Sequence, residues 1–250
     1  MSEPAVTIDV DDTVAVVELH RPPHNYFDLD ALTALADACD GVRATGCRAI
    51  VLCSEGRSFS AGADLRGDVL DDTDRLYEVA ARLAEAPVPT IAAVQGAAVG
   101  GGFGLALVAD FRVVTPRTRL ACNFAKLGFH HGFGISVTLP ALVGQQRALE
   151  ILYTAPDIRG EEAVRLGLAD RICEEDELRA TALGLAREIA SSAPLAVAAI
   201  RATMRGDLGD RVRAATRREA EQQRALRDTA DFREGVQAVA EGRTPIFVGS

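Results

Sequence analysis

Short runs of β-branched and aliphatic residues recur through the earlier part of the chain, separated by longer stretches whose apolar residues fall three and four apart. The short runs at 14–19 (VAVVEL), 48–54 (RAIVLCS), 90–96 (TIAAVQG), 111–116 (FRVVTP), 118–124 (TRLACNF) and 168–173 (LADRIC) predict strands. Between them, LDALTALADACDGVR and DRLYEVAARLAEA carry helical spacing, and an aspartate able to cap the helix precedes each. From about residue 176 the period is helical throughout. Alternating strands and helices predict an α/β fold. The late helices are charged on one face and apolar on the other, so they should pack on the body or on another subunit. No repeat, low-complexity tract or flexible linker interrupts the pattern.

Composition narrows this further. The 250 residues are 48% hydrophobic, enough to bury a large core. The formal charge of −9 is spread along the chain, which argues against nucleic acid or an anionic membrane as partner. No stretch has the apolar length of a membrane span, and MSEPAVTIDVDD lacks the apolar core of a signal peptide, so a cytoplasmic location is expected. Cys39, Cys47, Cys53, Cys122 and Cys173 are odd in number and outside metal-ligand spacing. They read as reduced, mostly buried thiols, and no metal site is expected.

Candidate chemistry begins at AAVQGAAVGGGFGLALVAD, where three glycines separate a β-branched run from a helical pattern. A dinucleotide fingerprint fails on spacing, because Leu105 stands where the third glycine belongs, and no Gly-Lys-Ser/Thr follows for a P-loop. What remains is a helix N-terminus near Gly101 whose unpaired N–H groups favour an oxyanion. A second stretch of small residues, Ser60 to Ala63 in EGRSFSAGADL, also leaves backbone N–H groups unobstructed. Two such donors converging on one carbonyl oxygen would make an oxyanion hole.

Taken in order, SFSAGADL, VPTIAAVQGAAVGGGFGLALVADFRVVT, LGFHHGFG, AVRLGLADRI and FREGVQAVAEGRTPIFVG resemble the enoyl-CoA hydratase/isomerase (crotonase) superfamily almost end to end. The resemblance implies a spiral of ββα units over residues 1–190 and a C-terminal helical region over 191–250 that builds a homotrimer or a dimer of trimers. It implies acyl-CoA thioesters as substrates, with coenzyme A arriving as part of the substrate and no other cofactor. It places the oxyanion hole on the N–H groups of Ala63 and Gly101. Arg57 and Arg66 match basic positions beside the CoA phosphates, Ala61 lies with them, and Arg243 is a further contact from the C-terminal segment.

The departures from the family pattern bear on the reaction. Hydratases of the superfamily carry one glutamate directly after the triple-glycine turn and a second on the loop that here reads CNFAKLG; this chain has Gly104 and Phe124 at those places. Neither transfers protons, so conventional hydration is expected to be slow or absent. The superfamily also holds isomerases, dehalogenases, hydrolases and decarboxylases. Replacement groups are sought first at His130 and His131, beside Gly132, Phe133 and Gly134 at the acyl end, because imidazole is suited to proton transfer near neutrality. Tyr77 and Glu78 come next, with Asp64 read as fixing its loop and Lys126 as touching CoA or solvent. Of Cys122 and Asn123, which flank Phe124, only one can face the pocket. Phe124, Phe129 and Phe133 suggest an apolar acyl site, and a protein that binds acyl-CoA without turning it over stands as the alternative.

Overall fold

Two sheets of unequal size share the strands, and the chain crosses between them. The computed structural model describes residues 4–63 and 72–250. In the larger sheet, β1 (Val6–Asp11) and β2 (Val14–Leu19) form an antiparallel hairpin, followed in parallel by β3 (Ala49–Ser54), β4 (Thr90–Val94), β6 (Phe111–Val114) and β9 (Arg171–Ile172). The smaller sheet takes β5 (Ala97–Val99), β7 (Arg119–Ala121) and β8 (Ile158–Arg159). β5 pairs in parallel with β7, just as β4 pairs with β6. A parallel bridge between Ser60 and Ala98 adds the segment after β3 to the same edge. Each pass therefore runs strand, bend, second strand or bridge, then helix, which is the spiral of ββα units.

The helices are α1 (Leu29–Gly41), α2 (Thr73–Ala84), α3 (Gly101–Val108), α4 (Ile135–Val143), α5 (Gln145–Thr154), α6 (Gly160–Leu166), α7 (Leu178–Ala190), α8 (Pro194–Arg205), α9 (Leu208–Arg227) and α10 (Ala230–Glu241). Asp28 caps α1 by accepting the Ala31 N–H at 2.9 Å, as its spacing predicts. Asp72, at the start of α2, makes no capping bond and pairs with Arg75 instead.

Several sequence expectations shift, and the run 168–173 is a strand only over Arg171–Ile172. The run 90–96 ends as a strand at Val94, because the chain bends at Gln95–Gly96 to enter the smaller sheet. Gly96 has φ +52°, and a Cβ there would lie 1.9 Å from the Arg57 carbonyl oxygen. The run 118–124 is a strand only over Arg119–Ala121, then tightens into a 3-10 turn over Asn123–Leu127. β1 went unpredicted because it is a half-exposed edge strand whose alternation is masked by aspartates.

The division near residue 190 does not separate two cores. Leu208, Val212 and Ala220 of α9 join the same apolar cluster as Leu76, Phe103 and Phe133. α8 differs: it buries none of its residues, and Leu195, Ile200 and Met204 stand exposed. Its attachment is ionic, through Arg201 and Arg205 on Asp110. Among the described residues no single helix is long and apolar enough to cross a membrane.

Candidate active site

Two glycine turns meet because no side chain holds them apart. The Ser60 N–H donates to Ala97 O and the Val99 N–H to Ser60 O, each at 3.0 Å, stitching the segment that ends at Ala63 onto β5. Gly62 has φ +86°, and a Cβ there would lie 2.9 Å from the Gly101 nitrogen; one at Gly102 would lie 2.1 Å from Ser60 O. Only glycine fits this crossing. The Ala63 N–H and the Gly101 N–H, the latter opening α3, have no acceptor among the described residues.

Both residues line a cavity of about 840 Å³. Its wall carries Arg57, His24, Tyr26 and Arg119. Arg57 is exposed and makes no ion pair or hydrogen bond with the described residues, while the Arg119 Nε stands 3.6 Å from Asp157. His24 meets Tyr26 edge-on with centroids 5.8 Å apart. No carboxylate lines the cavity among the described residues, in a chain of net charge −9. The described wall thus presents an anion with arginines and no negative side chain.

The wall is also strongly apolar, with Phe124, Phe129, Phe133, Leu76 and Leu127 and with Val236 and Val239 of α10. Phe133 adopts φ +64° and is buried against Gly104; a Cβ at Gly104 would lie 2.6 Å from the Phe133 Cβ. The phenyl ring thus occupies the space that a side chain at position 104 would need. Beside Gly100, Asn123 and Phe124 both face the cavity, whereas Cys122 is buried in the core.

The expectation that His130 or His131 reaches the substrate meets a different placement, since neither imidazole lines the cavity. The left-handed backbone at Phe133 sends the phenyl ring inward and leaves the histidines behind it. Their rings stack with centroids 4.1 Å apart; the His131 Nε2 lies 2.8 Å from the Ser136 Oγ and 4.0 Å from Glu219. Burial lowers the His131 pKa to about 4, with the neighbouring His130 adding to the shift, so His131 is neutral at pH 7. Glu219, wholly buried on α9, accepts the N–H groups of Gly134 at 2.8 Å and Ser136 at 3.0 Å. Its burial raises the carboxyl pKa, against the lowering pull of those hydrogen bonds.

Gly132 is likewise outside the cavity wall; its missing Cβ makes room for Tyr77, whose hydroxyl oxygen would lie 1.7 Å from a Cβ there. Tyr77 does line the cavity, but its hydroxyl donates to Gln223 Oε1 at 2.7 Å, and the Gln223 Nε2 donates to His130 O at 2.8 Å. Burial pushes the Tyr77 phenol well above its ordinary pKa, so it is no base near neutrality.

The family model for enoyl-CoA hydratase/isomerase matches residues 9–250. The chain belongs to that family. A probable enoyl-CoA hydratase of Bacillus subtilis (strain 168) is 33% identical over 259 residues, covering 98% of this chain and 99% of its own length. A putative enoyl-CoA hydratase of Thermus thermophilus is 34% identical over 251 residues, with 94% and 97% covered. Among solved structures, an enoyl-CoA hydratase of Mycobacterium avium subsp. paratuberculosis superposes with a TM-score of 0.86 at 26% identity, covering 98% of this chain and 99% of the other. The fold of this family member is therefore the crotonase spiral.

The remaining expected site residues of this enoyl-CoA hydratase/isomerase family member divide. Ala61 lines the cavity, its N–H donated to His24 O at 2.9 Å. Arg243 is outside the cavity wall, its guanidinium held by Glu234 and Glu241. Glu78 pairs with Arg213, and the Lys126 ammonium donates to Ala155 O at 2.7 Å; neither lines the cavity. Asp64 and Arg66 lie outside the described residues. Sequence reasoning missed His24, Arg119, Glu219 and Gln223. A signal for the last two existed: Val212, Thr216, Glu219 and Gln223 form one helical stripe, all buried, so three polar side chains sat at core positions of an amphipathic helix.

Proposed function

We propose that this protein binds an acyl-CoA thioester and stabilises its enolate in an oxyanion hole formed by the Ala63 and Gly101 N–H groups. The observation that carries this reading is the pair of N–H groups that have no acceptor among the described residues, on turns brought together at Gly62 at the wall of the cavity. Two preorganised backbone donors lower the energy of a developing oxyanion without reorganising as charge forms. Arg57 and His24 in the cavity wall would face the CoA phosphates, and the phenylalanines of the wall would take the acyl chain. No further cofactor enters the proposal.

Conventional hydration is not the proposed reaction. Gly104 and Phe124 supply no carboxylate, and Phe133 fills the volume beside Gly104 that a glutamate would need. Without both groups, hydration of crotonyl-CoA should run about 10² to 10⁴ times slower than in a hydratase carrying the glutamate pair. A spectrophotometric hydration assay tests this, and efficient hydration by the wild-type protein overturns it. The same incubation with enoyl-, 3-oxoacyl- and aryl-CoA thioesters, followed by mass spectrometry, identifies the reaction; binding of every thioester with turnover of none favours the non-catalytic alternative. We also propose a trimer or dimer of trimers that covers the exposed Leu195, Ile200 and Met204 of α8, in a cytoplasmic protein.

A further inference from the structure

Two polar side chains of the cavity wall, Tyr77 and Gln223, are already engaged. Tyr77 donates to Gln223, and Gln223 donates onward to His130 O. Asn123 is different: its carboxamide lines the cavity and has no hydrogen-bond partner among the described residues. Its Oδ1 would lie 3.4 Å from a Cβ on Gly100, and the Phe124 ring would lie 3.8 Å from the same point. Gly100 immediately precedes the Gly101 donor, so the carboxamide stands beside the residue that adjoins the proposed oxyanion donor.

From this placement we infer that Asn123 is a specificity-determining residue that hydrogen-bonds an oxygen on C3 of the acyl group, favouring 3-oxoacyl or 3-hydroxyacyl thioesters over saturated ones. The inference rests on the acyl-CoA reading above. An oxygen on C3 is separated from the thioester carbonyl carbon by only two carbon–carbon bonds, so a substrate anchored at Gly101 brings it beside Gly100. A carboxamide both donates and accepts, which suits a ketone and a hydroxyl alike. Phe124, adjacent in sequence, offers no competing hydrogen bond. A saturated acyl chain would cover the carboxamide and leave it unpaired, which is the more costly arrangement.

Isothermal titration of the full chain with butyryl-CoA, 3-hydroxybutyryl-CoA and acetoacetyl-CoA tests the inference, using the wild type and Asn123→Leu. The expected result is about tenfold tighter binding of at least one oxygenated thioester by the wild type. In Asn123→Leu that preference should vanish, because the oxygenated thioester loses its hydrogen bond and butyryl-CoA no longer covers an unpaired carboxamide. Equal wild-type affinity for all three, or an equal loss for all three in the variant, overturns the role of Asn123 and leaves thioester binding standing. No wild-type binding of any of the three overturns the acyl-CoA reading itself. Should Asn123→Leu fail to fold, Asn123→Ser withdraws the carboxamide with less apolar bulk and carries the same comparison.

Discussion

Two helices of this protein open on glycine-rich turns, and their N-termini have opposite fates. α3 begins after Gly100, at the cavity wall, and the Gly101 N–H has no acceptor among the described residues. α4 begins after Gly134, and there Glu219 takes the N–H groups of Gly134 and Ser136. Both termini present the same unpaired donors and the same positive dipole end. The difference is a carboxyl group delivered by α9, which closes one terminus as structure and leaves the other open to a ligand. A helix N-terminus is thus a binding site only where the rest of the fold supplies no acceptor for it.

The largest effect expected from this contrast is on stability. Glu219→Ala removes the acceptor for the buried Gly134 N–H and the part-buried Ser136 N–H and opens a cavity at a wholly buried side chain, so a loss of about 4 kcal/mol is expected in urea denaturation. A loss under about 1 kcal/mol would mean that the α4 terminus does not depend on Glu219, and the contrast would fail.

At the open terminus the expected effect is on catalysis. Gly101→Pro deletes the donor at the first helical position, where a missing N–H is otherwise tolerated. Transition-state stabilisation should fall by about 3 kcal/mol, roughly a hundredfold in turnover of whichever thioester the protein consumes. Full turnover in a folded Gly101→Pro protein would remove the oxyanion role from α3.

The third prediction uses pH to read the closed terminus. His131 has a folded-state pKa of about 4 against an ordinary value near 6.5. As pH falls through 6.5 the unfolded chain takes up a proton that the folded imidazole refuses. Stability present above that value is therefore lost progressively down to about pH 4, by at most about 3 kcal/mol. Glu219, with its raised pKa, contributes in the opposite sense, losing stability as pH rises through its folded value. Melting temperatures of wild type and His131→Gln between pH 4 and 7 isolate the imidazole: the wild type should lose more on acidification. Parallel curves would show that His131 is not held neutral. A hundredfold fall in turnover for His131→Gln, with the fold intact, would instead return this residue to the chemistry from which its placement separates it.

Much of the architecture was legible along the chain because it is local. Six strand positions followed from short β-branched runs, Asp28 announced the start of α1, and the glycines at 100–102 marked a turn requiring close approach. Motif order was enough to indicate the family. Residue identity at Gly104 and Phe124 likewise speaks for itself, because an absent carboxyl group cannot be restored by folding.

What the chain alone left open depended on contacts between residues far apart in sequence. His130 and His131 looked suited to proton transfer by composition, but the left-handed backbone of Phe133 and the bond to Ser136 turn them away from the cavity. Glu219 lies 85 residues from Gly134, and nothing near either residue announces the pairing. Of Cys122 and Asn123, strand alternation allowed either to face the cavity, and packing against Gly100 selected Asn123. Local propensity and side-chain chemistry are written residue by residue. Which donors remain unpaired is decided only when every other part of the chain has taken its place, and that is a property of the tertiary structure.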